Sequence, residues 1–248
     1  MQVNEQSVEI SMGGRTAGSL LYSPAGAGQW PGVLHLTDIF GIRPAASEMA
    51  KRLAAGGFCV LQPNVFYRSG KPPLFDFPAD LKNEQTMKRV RELAGALTPE
   101  AMESDASAYV DFLAGIPAVR PGGMGVVGYC FTGSMALRAA AARSDRIAAV
   151  ASFHGGGLAT DAPTSPHTVL PRVKARLYFA HADADRSMPA EAIAKLDGAL
   201  RSWGGVFASE TYAGASHGWT VPDSHAYNQA QAERAFGKLM ELFGAALK

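Results

Sequence analysis

The hydrophobic pattern divides the chain into a short opening and a long alternating body. Residues 7–12 and 16–22 read as short strands on either side of Gly13-Gly14, a pair that signals a hairpin. Residues 32–37 (Gly-Val-Leu-His-Leu-Thr) are nearly continuous apolar sequence, the mark of a strand buried on both faces. Further strands are predicted over 58–61, 124–129, 147–153, 176–180 and 207–212. Helices are predicted between them: 44–55, closed by Gly56-Gly57, then roughly 80–97, 99–113, 134–143, 189–203 and 225–247. Residues 72–78, bounded by prolines, break the pattern. Strands alternating with helices predict an α/β domain spanning 1–248, a mostly parallel sheet covered on both faces, with the opening hairpin as an antiparallel edge. Ligands of such sheets bind outside the carboxyl ends of the strands.

Composition narrows the function classes. A hydrophobic fraction of 47% and a charged fraction of 18% over 248 residues describe an ordinary globular chain with one large core. The net charge is +1, and Lys and Arg are spread out, so neither a nucleic acid nor an anionic membrane is an expected partner. The first residues have no basic start or apolar run, and no stretch could span a bilayer, so a cytoplasmic location is expected. The only cysteines are Cys59 and Cys130, which excludes a disulfide framework. No histidine or cysteine spacing suggests a metal site. Gly155-Gly156-Gly157 lacks a clear helix start behind it, so neither metal nor nucleotide cofactor is expected.

The chemistry concentrates at three predicted strand ends. Gly128-Tyr129-Cys130-Phe131-Thr132-Gly133 reads as strand, sharp turn, helix, the setting of a nucleophile elbow with cysteine in place of serine. Such a turn strains the backbone, so Gly128 and Gly133 are the small residues it needs; Thr132 stands where many elbows have glycine. A helix N-terminus favours a thiolate, and the N–H of Phe131 would face a developing oxyanion. Cys59, by contrast, sits mid-strand and is assigned to the core. After the strand 176–180 come Asp183 and Asp185, either of which could orient a histidine or cap a turn; Asp185, four residues before Pro189, is the favoured acid. After the last strand, His217 lies among small residues in Gly214-Ala215-Ser216-His217-Gly218. Of the other histidines, His35 is expected in the core, His167 and His225 at the surface, and His154 and His181 at strand ends beside the site.

These residues resemble the dienelactone hydrolase family over nearly the whole chain. The resemblance rests on Asp38-Ile39-Phe40-Gly41, Pro63 to Arg68, the Gly-Tyr-Cys elbow, Asp185 with Pro189, and Gly214 to Trp219. It implies an α/β-hydrolase fold and hydrolysis of a small-molecule ester or lactone through an acyl-enzyme. Cys130 would be nucleophile, His217 base and Asp185 acid, with the N–H groups of Ile39 and Phe131 as oxyanion hole. The family's glutamate that touches the thiol is Asp38 here. The family's arginine shortly after the catalytic histidine is absent, since Gly218-Trp219-Thr220-Val221-Pro222 follows His217. An anionic dienelactone is therefore not the expected substrate, although Arg68, Lys88, Arg89 or Arg91 could bring a charge from elsewhere. Phe40, Tyr67, Arg68, His154 and Trp219 are expected to line the pocket, mostly aromatic. Competing readings on the same fold are a thiol redox sensor, a non-catalytic binding protein, and a thioesterase or amidase with the same triad.

Overall fold

The computed structural model describes residues 1–247. One eight-stranded sheet runs through it. Its strands are β1 (Val3–Ser11), β2 (Thr16–Pro24), β3 (Gly32–Leu36), β4 (Cys59–Pro63), β5 (Met124–Tyr129), β6 (Ile147–Phe153), β7 (Arg176–Ala184) and β8 (Phe207–Ser216). The spatial order is β1-β2-β4-β3-β5-β6-β7-β8. The hairpin β1–β2 and its junction with β4 are antiparallel; every other pairing is parallel. Six helices connect the strands: α1 (Pro44–Ala55), α2 (Glu84–Gly95), α3 (Pro99–Ala114), α4 (Thr132–Ala142), α5 (Ala190–Trp203) and α6 (Gln229–Ala246). The expected α/β architecture is present. None of the helices among the described residues is long and apolar enough to cross a membrane.

The apolar runs explain why the sheet is sandwiched. β3, β4 and β5 are buried at every position. Apolar side chains on one face of the sheet meet α3, α4 and α5 through Tyr109, Leu137 and Leu196. Those on the other face meet α1 and α6 through Leu53, Leu239 and Phe243. Cys59 sits in this core with no solvent exposure, and burial pushes its thiol up to about 11.

Several boundaries differ from the sequence pattern, for local reasons. Asp80 does not start α2; Lys82 N–H bonds its carboxylate in a turn, and Asn83 caps the helix by accepting from Gln85 N–H at 2.8 Å. Likewise α6 starts after Asn228, which accepts from Gln231 N–H, so residues 225–228 belong to a loop. β7 and β8 each run four residues past their expected ends. A short 3-10 helix over Pro166–Arg172 is an addition that carries no helical hydrophobic period.

Candidate active site

Parallel register brings the candidate residues together in pairs. Tyr129 of β5 pairs with Phe153 of β6, so the next residues, Cys130 and His154, leave the sheet side by side. Ala184 of β7 pairs with Ser216 of β8, so Asp185 and His217 do the same. His217 Nδ1 lies 2.6 Å from Asp185 Oδ2. The Asp185 side chain is almost buried, at 3% exposure, and Ser187 holds its other oxygen through both N–H (2.8 Å) and hydroxyl (2.6 Å). Asp183 is instead an exposed residue near the end of β7 whose carboxylate accepts from Gly214 N–H.

Electrostatics follow this layout. Burial opposes the charge of the His217 ring. The hydrogen bond to Asp185 and the neighbouring Cys130 outweigh that and raise its pKa to about 10. Burial also works against the Asp185 carboxylate, but His217 and Ser187 together pull its pKa below the usual value. Asp185 thus holds the ring of His217, which shares the wall of one cavity with Cys130.

Cys130 has φ of +57°, a left-handed conformation that costs a residue with a side chain about 1–3 kcal/mol. The turn closes so tightly that a Cβ on Gly128 would sit 2.3 Å from Thr132 O, and one on Gly133 would sit 2.3 Å from Ser152 Oγ. Thr132 is buried and serves the turn: its hydroxyl reaches Leu36 O (2.9 Å) and Tyr129 O, and accepts from Tyr129 N–H. The strained residue's own N–H is shared between Phe153 O (3.0 Å) and His154 Nδ1 (3.1 Å).

That contact defines the state of His154. A nitrogen that accepts carries no proton, so the proton lies on Nε2, which donates to Thr220 Oγ1 at 2.8 Å. Burial, and then the neighbouring His217, hold its pKa well below the ordinary imidazole value. Its ring meets those of His217 and Trp219 edge-on, each at 5.1 Å between centroids.

Cys130, His154 and His217 open into a cavity of about 480 Å³. Ile39, Phe40, Ile42, Leu74, Phe75 and Val221 give it an apolar wall. The N–H groups of Ile39 and Phe131 donate to no protein acceptor among the described residues. Arg89 of α2 fastens the segment carrying Leu74 and Phe75 by donating to Leu74 O and Ser69 O.

Five expected positions lie elsewhere or point elsewhere. Tyr67 and Arg68 do not line the cavity; the buried carboxylate of Asp105 on α3 draws both, accepting from Tyr67 OH at 3.0 Å and from both Arg68 Nη groups. Trp219 is fully buried behind His154 and against Tyr212, so it supports the wall without forming it. Asp38 lines the cavity, but its oxygens are engaged by Arg43 (2.7 and 2.8 Å) and Phe40 N–H instead of the thiol. An aspartate is short, and a guanidinium five residues on is within its reach. His181 also lies away from the cavity, buried against Ser209 and Phe179. His225, exposed as expected, stands on the cavity lining. Sequence reasoning missed Arg43, Ser187 and Asp223. For Arg43 there was one signal, a cation at the start of α1, where the helix dipole disfavours it without carboxylate partners.

The fold is that of α/β-hydrolases. A candidate dienelactone hydrolase structure from Klebsiella pneumoniae superposes with a TM-score of 0.87 over 98% of this chain and 99% of that one, at 18% identity. Residues 18–247 match the dienelactone hydrolase family. The chain belongs to that family and is a hydrolase of carboxylic esters or lactones. A Synechocystis sp. protein named as a candidate carboxymethylenebutenolidase is 26% identical, covering 92% of this chain and 91% of its own. A carboxymethylenebutenolidase of Pseudomonas sp. strain P51 is 32% identical over 54% of each chain.

The tight turn makes Gly128 a stability determinant. Gly128→Ala is expected to cost about 1–3 kcal/mol in denaturant unfolding through the clash with Thr132 O; an unchanged midpoint would show that the turn can relax. His217 gives a second expectation. It binds its proton more tightly folded than unfolded. Its stabilising contribution is therefore complete below about pH 6.5 and is lost as pH rises toward about 10. The thermal-stability advantage over His217→Gln should shrink across that range, and an advantage that grew with pH would contradict the pairing.

Proposed function

We propose that the protein cleaves a small ester or lactone through a Cys130-His217-Asp185 triad and an acyl-enzyme. The observation that carries this reading is the Asp185–His217 hydrogen bond, with His217 and Cys130 together on the wall of one largely apolar cavity. In the first step the Cys130 sulfur attacks the carbonyl carbon, and a C–S bond forms. The carbonyl electrons move onto oxygen, where the Ile39 and Phe131 N–H groups receive the charge. The tetrahedral centre then collapses, and His217 gives its proton to the departing alkoxide. In the second step His217 takes a proton from water as that water attacks the thioester. The thiolate leaves, and the acid product and the resting site are restored. Asp185 keeps the His217 proton on Nδ1 and balances the imidazolium, without itself accepting the proton.

His154 is a positioning residue in this scheme. It stays neutral and accepts the Cys130 N–H, which aims the sulfur by fixing the turn behind it. The elbow's strain is useful only if the turn cannot relax, and this bond resists relaxation.

Turnover of a short-chain aryl ester is expected to fall at least about a thousandfold in Cys130→Ala, and acid-quenched wild type should carry an acyl adduct on the peptide containing Cys130. Undiminished turnover, or an adduct elsewhere, would sink the assignment. His154→Leu is expected to lower kcat about ten- to a hundredfold with KM little changed. His154→Asn can accept the same N–H and tolerates the positive φ at this position (+42°), so it should recover much of the rate. Equal loss in both variants, matched by equal loss of thermal stability, would reduce His154 to a packing residue.

A further inference from the structure

Arg43 is the one guanidinium on the wall of the catalytic cavity, and its hydrogen-bonding capacity is fully used. A guanidinium has five N–H donors. Here Nη1 donates to Asp38 Oδ1 (2.7 Å) and Gly41 O (3.2 Å), and Nη2 donates to Asp38 Oδ2 (2.8 Å) and Asp223 Oδ1 (2.9 Å). Nε donates to Asp223 Oδ2 (2.8 Å). Every donor has an acceptor inside the protein. The charge is also over-neutralised, because one cation faces two carboxylates. Across the whole lining, Asp38, Asp80 and Asp223 stand against Arg43 and Lys82. The Cys130–His217 couple adds no net charge whether its proton is on sulfur or nitrogen. Lys82, like Asp80 and Asp223, is exposed, where solvent screens it. Apart from His154, Ser224 and His225, the rest of the wall is apolar.

A carboxylate on the acyl part of a substrate would therefore lose its water, find no free donor on Arg43, and meet two carboxylates at close range. Removing an ion from water without a partner is costly, and like charges add to that cost. An alkyl or aryl acyl group has the opposite experience: it buries apolar surface against Ile39, Ile42, Leu74, Phe75 and Val221.

We propose that the enzyme acts on uncharged esters or lactones with apolar acyl groups, and that Asp223, by locking Arg43 against Asp38, is the residue that excludes carboxylate-bearing substrates. This rests on the hydrolytic reading above and adds a substrate class to it. Asp223 lies in the loop after His217, while Asp38 and Arg43 flank the turn that carries Ile39. The exclusion is thus built from both walls of the cavity.

The test is a pair of esters, 4-nitrophenyl hexanoate and mono-4-nitrophenyl adipate, corrected for uncatalysed hydrolysis. They share a leaving group and acyl length and differ only in a terminal methyl or carboxylate. For the wild type, kcat/KM is expected to favour the hexanoate by at least about tenfold. Asp223→Asn removes a charge and leaves Arg43 with one carboxylate partner. It should raise the adipate-to-hexanoate ratio about tenfold or more, and Arg43→Gln in the same background should abolish that gain. Asp223 is half-exposed on a loop, and Asp223→Ser repeats the measurement should the asparagine variant fail to fold. Equal use of both esters by the wild type would overturn the proposal. So would an unmoved ratio in an Asp223 variant that still cleaves the hexanoate. No turnover of either ester, or turnover that survives Cys130→Ala, would instead overturn the hydrolytic reading and this proposal with it.

Discussion

The left-handed turn at Cys130 is the constraint around which the site is arranged. A cysteine at φ +57° would relax if it could, at a gain of about 1–3 kcal/mol. What prevents relaxation is a ring of short contacts. Gly128 and Gly133 allow Thr132 O and Ser152 to approach closely, the Thr132 hydroxyl ties the turn to the end of β3, and Phe153 and His154 both hold the Cys130 N–H. Strain held this firmly at a half-buried cysteine has no structural benefit, and Cys130 lines the cavity while the start of α4 lies beside it. The buried, neutral state of His154 belongs to the same constraint, because a protonated ring could not accept that N–H.

Parallel register does the rest of the assembly. Neighbouring strands lie about 4.8 Å apart, so residues that follow a paired couple emerge within contact distance without help from long loops. Cys130 with His154 and Asp185 with His217 are both of this kind. The extra length of β7 and β8 matters for that reason: each brings the residue after it, Asp185 or His217, to the point where the two bond at 2.6 Å. The geometry of the proposed triad is thus largely a property of strand length and pairing, elements held by the core.

The parts of the structure legible in sequence were those governed by burial and local turn chemistry. The both-faces-buried runs at β3, β5 and β6 reveal themselves through composition, and Gly128 and Gly133 through their spacing around Cys130. The exposed ends of β7 and β8 were not legible, because Asp183, Ala184 and Gly214 to Ser216 look like loop sequence; the pairing of Ala184 with Ser216 and the bond from Gly214 N–H to Asp183 join the two ends. Tyr67 and Arg68 pointed to the pocket by position alone. Their true partner, Asp105, is thirty-odd residues away on a helix, and a buried carboxylate will recruit whichever donors the fold brings near it. Trp219 reads as pocket aromatic for similar reasons, but the demand for core volume beneath His154 took precedence.

Arg43 shows why charges are the least legible part of the site. Its two carboxylate partners are five and one hundred and eighty residues away. No local pattern distinguishes a guanidinium free to bind substrate from one already saturated. Yet the difference inverts its meaning: a free arginine on this wall would select anions, and a saturated one between two aspartates repels them. The same ion cluster joins the β3–α1 turn to the loop after His217 and so ties together the walls that carry Ile39 and His217. In the proposed scheme, charge selection and the alignment of oxyanion donor and base therefore depend on one cluster. A lineage that altered one by losing Asp223 would loosen the other, and compensation would be expected in the β3–α1 turn or in the loop after His217, before the strands that carry Cys130, Asp185 and His217.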